Sequence, residues 1–159
     1  MTKHVREQVL EYVKDLLIEK TKILNCQVHR IGPGQAHQPE HIEVYIDGET
    51  TGGSNSDDEI EDMLGTSVRV AALGVRITVK AGYDEHPDTR ANEILALVEA
   101  ALFGPDKNGD HTINDAYVSI QWAGVVNDYE DELENEMTQL EVAYQTSYRT
   151  PVGDSLTLI

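Results

Sequence analysis

The chain has 159 residues, 40% of them hydrophobic, and its 29 Asp and Glu against 12 Lys and Arg give a formal net charge of −17. This length fits one domain, residues 1–159, that can bury a core without disulfides or metals. The charge argues against binding a nucleic-acid backbone, which needs clustered Lys and Arg to displace counterions. Without a signal-peptide core or a stretch of membrane-spanning length, we expect a protein that folds in the cytoplasm and has no membrane partner.

The first predicted element is a helix from about residue 3 to 22. Its apolar side chains recur at three-to-four spacing, which places them on one stripe of a helix; they are Val5, Val9, Tyr12, Val13, Leu16 and Leu17. Residues 25–31 suggest a short strand before the turn at Gly32-Pro33-Gly34. Residues 41–46 alternate apolar and polar side chains, which predicts a strand with one covered face.

The only cysteine of the chain, Cys26, falls in the first predicted strand. A single cysteine excludes an internal disulfide and any cysteine-based zinc site, and it suits a reducing compartment. Nothing beside it in the sequence marks an activated thiol. We therefore predict a buried or unreactive thiol.

Acidic residues crowd two stretches of the sequence. No Lys or Arg lies between Arg30 and Arg69, and this interval contains Asp47, Glu49, Asp57, Asp58, Glu59, Glu61 and Asp62. The second stretch contains Asp128, Glu130, Asp131, Glu132, Glu134 and Glu136. Two readings are open for each stretch. It is a solvated, mobile loop, or it is a loop that lines a surface past which DNA slides or that becomes ordered against a partner. We expect residues 47–65 to form an acidic loop that is flexible in the monomer.

Residues 67–81 give the strongest strand pattern, but its alternation changes phase. Val68, Val70 and Ala72 share one parity, whereas Val75, Ile77 and Val79 share the other. A bulge at Gly74 would add one residue and return both apolar sets to one face. The sequence therefore predicts a bulged strand.

A second helix is predicted from Asp88, as its N-cap, to Leu102, and Gly104-Pro105 ends it. Residues 116–122 and 137–150 then alternate as strands, the first of them ending at Trp122, which fits a core or an interface position. The order of helix, strands, helix and strands predicts an α+β fold. We expect a mixed or antiparallel sheet with two main helices packed on one face.

Catalytic motifs are missing from the sequence. It has no phosphate-binding Gly-rich loop with Lys-Ser/Thr, no Gly-x-Ser-x-Gly turn and no His-Glu-x-x-His helix. His29, His37 and His41 lie close in sequence but lack helical ligand spacing, so we expect no metal site. Carboxylate pairs are abundant simply because acidic residues are, and none stands out for acid–base chemistry. We predict a protein that is not an enzyme and binds no cofactor.

Residues 106–113 come nearer to a motif, because oxygen ligands occupy loop positions one, three and five as in calcium-binding EF-hands. His111 replaces the glycine at position six, and Tyr117 replaces the bidentate glutamate at position twelve. The two readings are a calcium site and an Asp/Asn/Gly loop that joins helix to strand. The missing ligands favour the loop.

Three pieces of the chain carry a family resemblance: the opening helix at residues 5–10, the strand 68–80 followed by the helix 88–102, and the strand ending Tyr144-Gln145-Thr146-Ser147-Tyr148-Arg149-Thr150-Pro151. In the order and endings of these elements, the chain resembles the phage tail terminator and tail-completion family. This family is typified by the minor tail protein U of lambdoid siphophages. The resemblance spans most of the chain and involves no catalytic residue.

The resemblance implies a ring, usually hexameric, that caps the finished tail tube and stops its polymerisation. Its partners would be further copies of itself, the major tail tube protein and the head-completion or neck proteins, in a virion tail assembled in the host cytoplasm. Six strongly acidic subunits would let DNA pass through the channel without specific binding. We hypothesise that the acidic loop faces the lumen or a neighbouring subunit through Asp57, Asp58, Glu59, Glu61 and Asp62.

Residues 152–159 form a C-terminal tail with an apolar tip of Leu156, Leu158 and Ile159. A terminal apolar cluster either packs on the core or contacts a partner, and both readings stay open.

The sequence is also compatible with two other functions. A head-completion, connector or other neck protein would share the size and the ring symmetry of a terminator. An acidic DNA mimic would occupy a basic DNA-binding cleft, but it needs carboxylates spread over one face, whereas here they concentrate in two blocks.

Overall fold

The computed structural model describes residues 3–29, 40–51, 65–80, 87–104, 108–128 and 137–159. These ranges contain, in order, α1 (Val5–Thr21), β1 (Cys26–Val28), β2 (Glu40–Thr51), β3 (Thr66–Lys80), α2 (Pro87–Phe103), β4 (Asp110–Ile113), β5 (Ala116–Asp128) and β6 (Met137–Pro151). The predicted α+β fold is confirmed, with a mixed sheet that curls into a half-barrel. Within the same ranges, no helix is long and apolar enough to cross a membrane.

The six strands form one sheet in the order β1-β2-β3-β6-β5-β4. β1 runs parallel to β2, and every other neighbouring pair is antiparallel. The central strands β3 and β6 pair along their whole length, from Thr66 opposite Pro151 to Lys80 opposite Met137. The short outer strands β1 and β4 cover only parts of β2 and β5.

Both helices pack on one face of the sheet and on each other. The core between them is built from alternate residues of the strands, because successive side chains of a strand point to opposite faces. β3 contributes Ala71, Leu73, Val75, Ile77 and Val79. α1 and α2 meet these with Val9, Val13, Leu17, Ile94, Val98 and Leu102. Each fully buried aliphatic side chain contributes about 1.5–3 kcal/mol, so this face dominates the stability of the fold.

The ends of α2 test two sequence expectations. The helix begins at Pro87, where a residue without an N–H fits the first turn, so Asp88 lies inside the helix rather than at the predicted cap. Its carboxylate accepts a hydrogen bond from Thr138 Oγ1 at 2.6 Å instead. At the other end Gly104, with a φ of 62°, terminates the helix as predicted.

The predicted bulge at Gly74 is wrong. β3 keeps a single register with β6 from end to end, so the two apolar sets of β3 lie on opposite faces. Leu73 and Val75 face the helices, whereas Val68 and Val70 are half-buried on the other face. The extra residue lies in β2 instead, where the pairing of β2 with β3 shifts between Ile46 and Glu49.

Two strands extend beyond their predicted ends, and one was not predicted. β2 continues to Thr51, so strand replaces the first residues of the expected acidic loop, and residues 52–64 of that loop lie outside the described ranges. β5 continues past Trp122 to Asp128, with one register shift between Trp122 and Gly124 and another between Val125 and Asn127. β4 occupies part of the loop that the sequence placed between α2 and the next strand.

Candidate assembly surfaces

The acidic residues predicted to face a channel or a neighbour lie outside the described part of the chain: Asp57, Asp58, Glu59, Glu61 and Asp62. Of the second acidic block, only Asp128 lies in a described range, at the end of β5. The hypothesis about these loops therefore stays a prediction.

Glu49, at the start of the first acidic stretch, is part of the interior. The shift after Ile46 pairs Glu49 with Ala71, a helix-facing residue, so its carboxylate turns toward the helices. Its Oε1 accepts a hydrogen bond from Tyr148 Oη at 2.8 Å and lies 3.3 Å from Arg69 Nη1, while Oε2 lies 3.2 Å from Arg6 Nε. These contacts join α1, β2, β3 and β6, which indicates a structural role for this carboxylate.

A second ionic cluster lies on the sheet face opposite the helices. Arg76 Nη1 lies 3.3 Å from Glu43 Oε2, and Arg76 Nη2 lies 3.5 Å from Glu141 Oε2. The guanidinium also lies 5.8 Å from the ring centroid of Tyr45. Glu43 and Glu141 sit directly opposite Arg76 on its two neighbouring strands. A buried carboxylate such as Glu43 is costly unless paired, so the cluster favours this strand register over a shifted one.

Two of the three histidines considered as metal ligands, His29 and His41, lie in the described part of the chain, and each lies near a glutamate. His41 is buried with its Nε2 3.8 Å from Glu43 Oε1, and His29 Nε2 lies 2.8 Å from Glu7 Oε1. His37 lies outside the described residues. Across the ranges that the structure describes, no three His, Cys, Asp or Glu side chains gather as a metal site would require.

Two residues of the segment with EF-hand-like spacing, Asp110 and His111, use their side chains for folding contacts. Asp110 Oδ1 accepts a hydrogen bond from Tyr117 Oη at 2.7 Å. The His111 ring joins both helices, with Nδ1 2.9 Å from Tyr12 Oη and Nε2 2.5 Å from the Leu102 carbonyl oxygen. The residue at calcium position five, Asp110, begins β4, and the residue at position six, His111, bridges the two helices. These contacts favour a connecting loop over a calcium site.

Cys26 is buried at the start of β1. Burial raises the pKa of its thiol to about 12. Because the thiolate is the reactive form, this environment suits the inert thiol that the sequence predicted.

The C-terminal tail folds back onto the start of α1. The Val5 amide donates to the Ser155 carbonyl at 2.9 Å, and Gln8 Nε2 donates to the Leu156 carbonyl at 2.9 Å. Leu158 packs against the core, whereas the side chains of Leu156 and Ile159 remain 44% and 41% exposed. One leucine thus anchors the tail to the core, and partner contact through the two exposed side chains stays a prediction.

The tail forms one wall of a groove beside α1. Polar and apolar surface both line it, from Lys3, Gln8, Glu11, Asn114, Leu156, Thr157 and Leu158. Lys3 Nζ lies 2.5 Å from Glu11 Oε1 across this groove, and the hydrogen bond lowers the pKa of Glu11.

Large apolar side chains are exposed at both lateral edges of the sheet. Leu24, which precedes β1, is 82% exposed, and Trp122 of β5 is 56% exposed. The exposure of Trp122 excludes the core position that the sequence allowed and leaves the interface position. Leu24 was missed from the sequence, because a single leucine in a turn between Ile23 and Cys26 has no periodic pattern to separate it from core residues.

No protein-family model matches the sequence, and no curated protein matches it significantly. Solved structures share its fold. One chain, from the virion of a native gene transfer agent particle, aligns with a TM-score of 0.53 and 12% identity over 90% of this chain and 94% of its own length. A second solved structure aligns with a TM-score of 0.50 and 11% identity over 90% of this chain and 92% of that one.

A third solved structure is the sheath/tube terminator of an extracellular contractile injection system. It aligns with a TM-score of 0.48 and 11% identity over 99% of this chain and 60% of that chain. At these identities the similarities are similarities of fold. The architecture described above is therefore one that also occurs in a virion particle.

Proposed function

We propose that this chain is a structural component of a phage-like virion, a tail terminator that caps the tail tube as a ring. The observation that carries the proposal is the fold shared with a chain of the gene transfer agent virion, over 90% of one chain and 94% of the other. That similarity supports a virion component as the class of protein. The position at the end of the tail rests on the resemblance of element order and of the final strand to tail terminators.

In this role the chain forms a hexamer with itself, contacts the major tail tube protein on one side and offers the other side to head-completion proteins. The role requires no catalysis and no cofactor. The described acidic residues with arginine partners are consistent with a structural role. Glu43, Glu49 and Glu141 are each paired with an arginine on a neighbouring strand.

The acidic loop gives the channel its charge in this proposal. With Asp57, Asp58, Glu59, Glu61 and Asp62 at the lumen, repulsion keeps DNA phosphates off the wall within a Debye length of about 8 Å. Replacing all five with Ser should leave the fold intact, as judged by circular dichroism, and should slow DNA ejection or weaken the ring. Ejection and ring formation that both stay unchanged would remove this part of the proposal.

Tube growth tests the proposed function directly. Tail tube protein is polymerised with and without the purified chain, and tube lengths and ends are examined by electron microscopy. We expect tubes that stop growing and carry a ring at one end. Tubes that grow unchanged with bare ends contradict the proposal; binding to the head connector instead would indicate a neck protein, and binding to a basic DNA-processing protein would indicate a DNA mimic.

A further inference from the structure

We infer that neighbouring copies in the proposed ring join edge to edge, with β1 of one copy beside residues 121–128 of β5 in the next. No described strand pairs with the outer side of these residues, which we call the free half of β5. This inference rests on the proposed function, because it names the surface through which the ring closes. Its occupant is a second copy of this chain. Four observations carry it: strand rows, free backbone edges, exposed anchors and local charge.

The pairing register puts the two edges at the same height on the sheet. One row runs from Cys26 through Ile42, Ile77 and Leu140 to Asp128. The next odd-numbered row of β3 runs from Val28 through Val44, Val75 and Val142 to Val125. A second copy placed edge to edge therefore needs no shift along the strands. Head-to-tail contacts without such a shift can close into a ring, whereas a shifted contact builds a helical filament.

Within the described ranges, both edges present backbone groups for pairing. β4 covers β5 only from Ala116 to Ser119, and the Ile120 amide then donates to the Gly109 carbonyl. Among the described residues, no strand pairs with the outer side of residues 121–128 or with the outer side of β1. Unpaired strand edges are templates for another strand. β1 and β5 run in opposite directions within one copy, so the joint between two copies would be antiparallel.

Each edge carries one large exposed apolar side chain that can anchor a short joint. Leu24 is held in a fixed turn, because the Ile23 amide donates to Thr21 Oγ1 at 3.2 Å and the Asn25 carbonyl accepts from the Ile42 amide at 2.8 Å. A side chain that is already ordered loses little entropy on binding. Trp122 lies on the free half of β5, and tryptophan is enriched among residues that dominate binding energy.

Local charges favour this contact between copies that otherwise repel. Lys20 and Lys22 are exposed in the chain segment just before Leu24. β5 contains no Lys or Arg and ends at Asp128. Lys20 Nζ lies 3.6 Å from Glu19 Oε1, so Lys22 is the lysine available to the neighbouring copy. It would approach a strand whose single charged residue is acidic, which favours the contact between strongly acidic subunits.

Two single variants and their mixture test the joint. Leu24→Asp disables the β1 edge and Trp122→Asp disables the β5 edge, and both side chains are exposed, so the fold should survive. Light scattering after size exclusion should give a ring for the wild type and single-chain mass for each variant. An equimolar mixture should give a mass of two chains, because one intact joint remains. Val152→Asp is the matched control: it is also 56% exposed, lies at the other end of the sheet and should keep the wild-type mass.

The possible results distinguish an error in the proposed β1–β5 interface from an error in the proposed ring. Rings that persist in both variants overturn the joint and leave the proposed ring standing. Two monomeric variants whose mixture stays monomeric show that the β1 edge and the β5 edge do not join, which also overturns the proposed joint. A wild-type chain that is monomeric at every concentration and on tubes overturns the ring and the joint together.

Discussion

The aromatic ring of Tyr45 lies across Gly74 on the neighbouring strand. A Cβ added at Gly74 would come within 2.3 Å of Tyr45 Cε2 and Cζ and within 2.7 Å of its hydroxyl oxygen. Glycine is needed here because a neighbouring side chain approaches the backbone closely, not because the strand bulges. Both situations place glycine inside a strand, so the sequence could not distinguish them.

Gly74→Ala should lower the free energy of unfolding by about 1–3 kcal/mol, as overpacking of a closed site does. The Tyr45 ring is buried and cannot simply swing away. Urea unfolding of Gly74→Ala, Tyr45→Val and the double variant checks the cause. In the Tyr45→Val background, the alanine should cost much less. Strictly additive effects would show that the ring and the glycine are not coupled.

Glu49→Ala should destabilise the fold by about 3 kcal/mol, because it leaves Arg6, Arg69 and the Tyr148 hydroxyl without their shared acceptor. Tyr148→Phe, which removes one hydrogen bond and keeps the ring, should cost only about 1 kcal/mol. Thermal and urea unfolding measure both. Glu19→Ala, at an exposed position of α1, is the control, and a Glu49 variant no less stable than this control would contradict the structural role.

Stability should fall at alkaline pH because of buried acids that stay protonated in the fold. The pKa of Cys26 is raised from 9.0 to about 12, and burial also raises the pKa values of Tyr144 and Tyr148 above 10.0. Above these ordinary values the unfolded chain releases protons that the folded chain keeps, so the free energy of unfolding decreases as pH rises through 9.0 and beyond. Urea unfolding across this range measures the slope.

Cys26→Ala provides the control for the thiol. It should flatten the first part of the decline, which begins near pH 9.0, and leave the later part that belongs to the tyrosines. In the wild type, alkylation of the thiol should be slow under native conditions and fast in urea. Rapid alkylation of the native chain, or a stability that does not change over this pH range, would contradict the buried thiol.

The tail prediction separates anchoring from partner binding. The double variant Leu156→Ser/Ile159→Ser alters only exposed side chains, so stability should stay within about 0.5 kcal/mol of the wild type. If the tail contacts a partner, this variant should lose tube binding in a pull-down assay. Leu158→Ala should instead reduce stability, since this side chain packs against the core. Full tube binding by the double variant would assign the tail to folding alone.

The helices and the long strands followed from periodicity, because each buries one regular face. The apolar stripe of α1 and the alternation of β6 are examples, and Gly104 ended α2 where expected. The position of Glu49 could not be predicted, because a shift of one residue in β2 turned an apparently solvent-exposed carboxylate inward. The four-residue strand β4 is too short for a pattern. The row alignment of β1 with β5 depends on four strand pairings, none of which the sequence specifies.

The molar mass of the purified chain tests the central claim most directly. It would be measured by light scattering after size exclusion at two salt concentrations, alone and with tail tubes. A tail terminator should have the mass of a hexamer, or be a monomer that becomes a stable cap confined to tube ends. A chain that remains monomeric under all these conditions and ignores the tubes would contradict the account.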